Sequence, residues 1–378
     1  MLFWSLKWMK RKIKMENITE VINAFCFKGD VLSTESFGNG HINDTYRVVC
    51  TQGSYVLQRI NHEIFLNPNA LMDNVNLVTQ HIKKKVLARG GDASREVLNL
   101  VPTHQNTFVY QTQSGNFWRA YDLIENSMSL NLVENAEEFY NSGVAFGAFQ
   151  KDLADFPVDQ LHYTIEDFHN TPQRYRDFIA SVAHNAAGRR DLVEKEIEFV
   201  LGHQAFAHTL WDLHHEGKLP LKVTHNDTKL NNVLLDKESN EVLCVVDLDT
   251  VMPGFSLDDF GDSIRFGAST ALEDEPELDK VTLSIPYYEA YTAGFIKGSG
   301  GSLSDLEIEL FPEGAKMMTL ECGLRFLKDY LDGDVYFKTA YPEHNLVRAR
   351  TQFKLVQEMD DAWDTLKQIS HKYLNGKL

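Results

Sequence analysis

Apolar residues recur every three to four positions over 69–87, 135–153, 173–185, 191–214, 282–297, 313–331 and 348–373, so each stretch is expected to be a helix. Residues 31–60 read differently, as strand, loop, strand. "FGNG" puts Gly38 and Gly40 in a turn, 45–50 is β-prone, and "SYVLQRI" continues after a Gln-Gly turn at 52–53. "NTFVYQTQSGNFWRAYDLIE" is two β-prone runs around Ser114-Gly115-Asn116, which predicts a hairpin. Beyond residue 125 only Val223, 233–235 and 242–246 look like short strands, set between helices. The pattern therefore predicts an α+β chain. A lobe at 15–125 has an antiparallel sheet and one helix, and a mainly helical lobe follows at 126–378. The glycine-rich 296–305 is expected to be a surface loop, since no lysine-serine pair follows it.

At 378 residues, with 43% hydrophobic and 11% aromatic content, the chain has material for two units with substantial cores. Its net charge of −17 repels phosphate backbones, so nucleic acid is not expected as a partner. Cys26, Cys50, Cys244 and Cys322 are far apart with no CxxC pair, which argues against structural zinc and disulfides and for a reducing cytoplasm. The opening "MLFWSLKWMKRKIKM" has its charges after a short apolar run. It lacks the order of a signal peptide and the length of a membrane span, so residues 1–14 read as an extension, with a weak basic surface anchor as the lesser alternative. No membrane partner is expected.

Chemistry gathers in two places. "THNDTKLNN" follows an apolar run and places Asp227 five residues before Asn232. "LCVVDLDT" delivers Asp247 from the end of a buried strand, fifteen residues after Asn232. Phosphoryl transfer to a hydroxyl needs an acid to orient the nucleophile and accept its proton, and oxygen ligands for magnesium on the phosphates. Asp227 suits the first role, and Asn232 with Asp247 the second; Asn231 would serve if the register shifted by one. Each stretch alone also reads as an Asx-rich turn or a strand ending in a polar turn. Together they point to a kinase. The loop "FGNGHINDTY" is a candidate cover for a nucleotide, with Asn39, His41 and Asn43 able to reach phosphate or acceptor. In "DDFGDSIRFGAST" the acids Asp259 and Asp262 are expected to fix a loop, pair with Arg265 or cap a helix. HExxH and G-x-S-x-G are both absent, so metalloprotease and serine hydrolase chemistry lack their motifs.

These two stretches resemble the catalytic and metal-binding motifs of the aminoglycoside phosphotransferase and choline kinase superfamily. More narrowly, "FGNGHIND", "KVTHNDTKLNN", "DLDTVMPG", "FGDSIRFGASTALEDE", "ECGLRFLKDYL" and "YPEHNLVRARTQFKLVQEM" resemble the N-acetylhexosamine 1-kinase family, over about residues 21 to 360. The resemblance implies a bilobal protein-kinase-like fold, ATP as co-substrate in a cleft between lobes, and Mg²⁺. It implies a sugar substrate, N-acetylglucosamine or N-acetylgalactosamine, phosphorylated on the anomeric C1 hydroxyl to the α-1-phosphate. Carried over residue by residue, Asp227 is the base and Asn232 and Asp247 are the magnesium ligands. His41, Phe266, Arg325 and Asp227 contact the sugar, and Gly38, Asn39, Gly40 and Gln58 lie at the nucleotide. The superfamily usually presents a basic residue on its third strand; here "YVLQRI" offers Gln58, with Arg59 facing the other way. An amino alcohol, thioribose or aminoglycoside acceptor is the rival within enzymes, and a nucleotide-binding pseudokinase the rival outside them.

Overall fold

The computed structural model of the chain describes residues 18–38 and 43–374. Among the described residues two compact units emerge, one formed by those up to 79 together with 98–125 and the other by 80–97 with 126–374. The first holds helix α1 (Ile18–Ile22), strands β1 (Val31–Ser36), β2 (Asp44–Cys50) and β3 (Gly53–Ile60), and the start of helix α2 (Pro68–Ala88). Strands β4 (Tyr110–Gln111) and β5 (Phe117–Asp122) complete it. The five strands form an antiparallel sheet in the order β1-β2-β3-β5-β4. Val48, Leu57, Trp118 and Ala120 alternate onto the face that packs against Val21 and Phe25.

The division between units falls inside α2. Its second half carries cations that pair with acids of the second unit: His81 and Lys85 with Asp155 at 2.9 and 2.5 Å, and Arg89 with Asp152 at 2.8 Å. Arg95 continues the pattern onto Asp236, so the segment 80–97, expected in the first lobe, packs with the second unit.

In that unit, strand β6 (Ser127–Met128) is followed by helices α3 (Ala136–Asp152), α4 (Thr171–His184), α5 (Glu194–Gly202) and α6 (Thr209–His215). Short strands β7 (Lys222–Thr224), β8 (Val233–Asp236), β9 (Val242–Val245) and β10 (Met252–Gly254) come next. Helices α7 (Ser256–Gly267), α8 (Ile285–Ser299), α9 (Asp305–Glu309), α10 (Phe311–Asp332), α11 (His344–Asp361) and α12 (Trp363–Tyr373) close the chain. Strand β10 pairs with β7, and β6, β8 and β9 form a separate antiparallel sheet.

Periodicity located most of these helices but merged two pairs. The run 191–214 breaks after Gly202 into α5 and α6, and 348–373 breaks at Ala362 into α11 and α12. Helix α7 was not anticipated as an element, because glycine and three aspartates interrupt its apolar spacing. Those aspartates are buried and face the chemistry.

Candidate active site

Strand β7 runs directly into the loop that carries Asp227. Thr224, His225 and Asn226 are buried, so their backbone polar groups need partners inside the protein. Helix α7 supplies them. The Asp259 carboxylate accepts from the His225 and Asn226 amides at 3.0 and 2.8 Å, and Asp262 accepts from Thr228 N at 3.1 Å. The Thr228 hydroxyl returns a bond of 2.6 Å to the Asp259 carbonyl. Asp259 and Asp262 thus fix the loop, as their position suggested. Asp262 also pairs with Arg265 at 3.0 Å, while Asp258, whose side chain accepts from Phe255 N, caps the helix. Asn226 sits at φ +64°, a left-handed conformation that asparagine tolerates better than most residues, and this turns the chain to present Asp227.

The metal-ligand candidates meet at the end of the β8–β9 hairpin. Val233 pairs with Val245, and one step further Val246 N donates to the Asn232 carbonyl at 2.9 Å. The register therefore puts Asn232 beside the residue preceding Asp247. His225 ties the loop to the same hairpin, its Nε2 lying 2.9 Å from the Val246 carbonyl. Asn232 Nδ2 donates to the Asp227 carbonyl at 2.8 Å, which commits the amide's nitrogen end and turns its oxygen outward. Asn231 is exposed and Asn232 buried, which favours Asn232 as the inward residue of the two. Asp247 is exposed at φ +61°. An amide oxygen and a carboxylate are a hard-donor pair of the kind that holds Mg²⁺ while leaving positions for water and phosphate, so these residues fit the ion.

Lys229 was not singled out from the sequence. Its Nζ lies 2.7 Å from Asp227 Oδ1, two residues along the same loop. Burial alone would raise the Asp227 pKa, but the Lys229 ammonium outweighs it and holds the carboxyl below its ordinary range, with Arg265 adding to the effect. Lys229 is raised in turn by Asp227. The signal that could have found it is the placement of a cation two residues after the acid.

Arg325 lies in α10, partly buried. Neither acid one turn away takes it. Glu321 is bound by His169 at 2.8 Å and Thr171 at 2.6 Å, and Asp329 by the amides of Val335, Tyr336 and Phe337. Instead the guanidinium carbon sits 5.1, 5.9 and 5.7 Å from the ring centroids of Phe168, Tyr336 and Phe337. Among the described residues it has no ion pair or hydrogen bond. Phe266 is partly buried in the last turn of α7, next to Arg265. Asn39, Gly40 and His41 lie outside the described residues; Gly38 has φ +75°, the conformation a turn glycine permits. Asn43 accepts from Asn61 N at 3.0 Å. Gln58 donates to Thr45 at 3.1 Å and accepts from Arg119 Nε at 3.0 Å, whereas Arg59 pairs with Asp44 on the opposite face. The buried cation on the Gln58 face is Arg119, contributed by β5 across the Gln58–Arg119 register pair, which no single-strand reading could reveal.

A cavity of about 440 Å³ opens beside Asn226 in the second unit. Tyr163, Phe168, Trp211 and Phe255 supply aromatic walls, Glu166, Asp167 and Asp258 carboxyl groups, and His169 an imidazole; among the described residues no lysine or arginine lines it. Burial raises Asp258 to about 7, with Glu321 and Asp259 adding to the rise and His169 opposing it.

The model of the phosphotransferase enzyme family (APH) matches residues 33–292, well over half of the chain. Among solved structures, a microcompartment-associated aminopropanol kinase superposes with a TM-score of 0.61 at 14% identity, covering 93% of this chain and 98% of its own. A spectinomycin phosphotransferase in complex with ADP and spectinomycin gives 0.56 at 14%, covering 92% and 97%. A Plasmodium vivax ethanolamine kinase gives 0.53 at 11%, covering 85% and 82%. The antiparallel sheet followed by a larger helical part is the fold of these kinases, and the chain belongs to the phosphotransferase enzyme family.

Proposed function

We propose that this phosphotransferase is an ATP- and Mg²⁺-dependent kinase acting on the anomeric C1 hydroxyl of an N-acetylhexosamine. Asp227 would orient the hydroxyl and take its proton as the sugar oxygen bonds to the γ-phosphorus and the bond to ADP breaks. Its lowered pKa makes it a weak base, which suits an anomeric hydroxyl, more acidic than an ordinary alcohol. Positioning and electrostatics would then supply most of the acceleration. Asn232 and Asp247 would hold Mg²⁺, which neutralises charge on the phosphates when bound. Lys229, paired with Asp227, would neutralise charge on the moving phosphoryl group. Gly38 and Gln58 are proposed nucleotide contacts. With four free cysteines and no described helix long and apolar enough to cross a membrane, we place the enzyme in a reducing cytoplasm.

The observation that carries the sugar reading is Arg325, a guanidinium under three aromatic rings with no polar partner among the described residues. Its planar fork suits paired hydroxyls. A second reading, an amino-alcohol acceptor, is favoured by the acidic, aromatic cavity beside Asn226, which matches the chemistry of an organic cation. Phosphorus NMR of ATP and Mg²⁺ with a panel of hexosamines, ethanolamine and aminopropanol separates the two. A new anomeric phosphate that requires the 2-acetamido group supports the sugar reading. Phosphate on an amino alcohol alone overturns it.

A further inference from the structure

Both polar atoms of the peptide joining Asn226 to Asp227 end on histidine rings. The Asp227 amide lies 3.3 Å from His225 Nδ1, and the Asn226 carbonyl lies 3.4 Å from His169 Nε2. His225 Nε2 faces the Val246 carbonyl, so this ring donates from Nε2 and accepts at Nδ1. His169 is placed differently. Its Nδ1 is 2.8 Å from Glu321 Oε1, so a carboxylate and a carbonyl, both acceptors, face its two nitrogens. A neutral imidazole has one N–H and can satisfy only one of them. The doubly protonated ring satisfies both.

The surroundings call for that cation. Glu321 is fully buried and its second oxygen is taken by the Thr171 hydroxyl. Among the described residues, His169 is the one cation in ion-pair contact with it. Arg174 and Arg325 add favourable charge from a distance, and Arg174 is committed to the Phe168 carbonyl. The charged groups acting on His169 are Glu321 and Arg325 on α10 and Asp258 on α7; Glu166 and Asp167 on its own loop line the same cavity, and Arg174 on α4 lies within electrostatic reach of Glu321 and Arg325. The ring packs against Phe168 with centroids 4.4 Å apart and planes tilted by 49°, and the Trp211 indole donates to the His169 carbonyl. The imidazole is thereby fixed in place as well as in charge.

We propose that His169 is a positioning residue, an imidazolium clamp that joins α10 to the catalytic loop and holds the peptide from which Asp227 projects. The proposal rests on the reading of Asp227 as the group that takes the acceptor's proton. Burial disfavours the charged ring, but the charge and hydrogen bond of Glu321, helped by the charge of Asp258, outweigh it and raise the His169 pKa above its ordinary value. The clamp therefore loosens as pH rises through that raised value.

Three measurements on the full chain test this. Nitrogen-15 NMR of the imidazoles should show His169 doubly protonated at pH 7. His169→Gln, which keeps a donor but not the charge, should lose about 10-fold or more in kcat, because small misplacements of a reacting group are costly. Its KM for ATP should stay close to wild type; its melting temperature should fall, because the buried Glu321 loses its charged partner, and in its folded fraction the alkaline fall in kcat expected of wild type should be missing. A neutral His169 at pH 7 overturns the proposal, with no variant needed. So does His169→Gln with the wild-type kcat and pH profile. Asp227→Asn is measured in parallel. If it stays active, the reading of Asp227 falls and takes the clamp's purpose with it. If it is inactive while His169→Gln matches wild type, the clamp alone is wrong.

Discussion

Asp227 owes its properties to three neighbours that act on different atoms. Asp259 fixes the backbone before it, Lys229 pairs with its carboxylate, and Asn232 bonds its carbonyl. Asp227→Asn should reduce kcat by about 10²–10⁴-fold while leaving ATP affinity nearly intact; a variant keeping a tenth of wild-type turnover would remove it from the base role. Asp247 lies a hairpin step from Asn232 rather than in that network, so Asp247→Ala should weaken Mg-ATP binding far more than sugar binding. Titration calorimetry giving an unchanged Mg-ATP affinity would refute its place as a metal ligand. For Arg325, the ion pairs that would make it structural are absent, since Glu321 and Asp329 are otherwise engaged. Arg325→Lys should therefore cut kcat/KM for the hexosamine about 10-fold or more, by loss of paired hydrogen bonds. A drop of several degrees in melting temperature with unchanged sugar kinetics would show the opposite. The "HND…N" spacing and Asp247 were legible because their chemistry is local to two short stretches. Lys229 belonged to the same stretch and was passed over, while Arg119 and His169 draw their meaning from partners 61 and 152 residues away.

At the scale of elements, the loop that carries Asp227 is only as well placed as α7, and α7 lies in a helical layer that depends on close packing of α3 against α8. Gly143 and Gly147 on α3 and Gly294 and Gly298 on α8 bring the two backbones together. A Cβ on Gly147 would come within 2.2 Å of the Phe295 carbonyl oxygen, and one on Gly294 within 2.1 Å of the Tyr140 carbonyl oxygen. Backbone cannot yield as a flexible side chain can. Gly147→Ala should destabilise the protein by about 1–3 kcal/mol, read as a fall in melting temperature of several degrees; an unchanged melting temperature would mean that the helices separate at little cost. Amphipathic spacing predicted α3 and α8 individually. Their glycines read as ordinary helix positions until the two elements are seen facing each other. Helix α7 was harder still, because its Asp258, Asp259 and Asp262 are buried polar residues whose partners come from the loop 225–228.

At the scale of the whole molecule, one buried acid, Asp258, contributes a dependence of stability on pH. Asp258 titrates at about 7 in the folded protein, raised by burial and by Glu321 and Asp259 against the pull of His169. An ordinary aspartate in the unfolded chain titrates near 4. Between these values the unfolded state has released the proton that the folded state still holds, so stability falls as pH rises through that window. The loss is on the order of 1–4 kcal/mol. Asp258→Asn keeps the amide-capping oxygen and removes the ionisation, so its melting temperature relative to wild type should be higher at pH 8 than at pH 5. An equal difference at both pH values would show that Asp258 does not carry the effect.

The division of labour between sequence and fold follows from the range of the interactions. Period-2 alternation in β2, β3 and β5, period-3.6 spacing in most helices, and the two acidic stretches are properties of neighbours along the chain. They determined the α+β architecture and the Asp227, Asn232 and Asp247 candidates. Tertiary structure decided what no local pattern encodes. It placed the second half of α2 with the second unit, because its cations find acids at 152, 155 and 236. It left Arg325 among aromatic rings by giving Glu321 to His169. It also set the charge of His169, since only the meeting of α10 with the catalytic loop presents one ring with two acceptors.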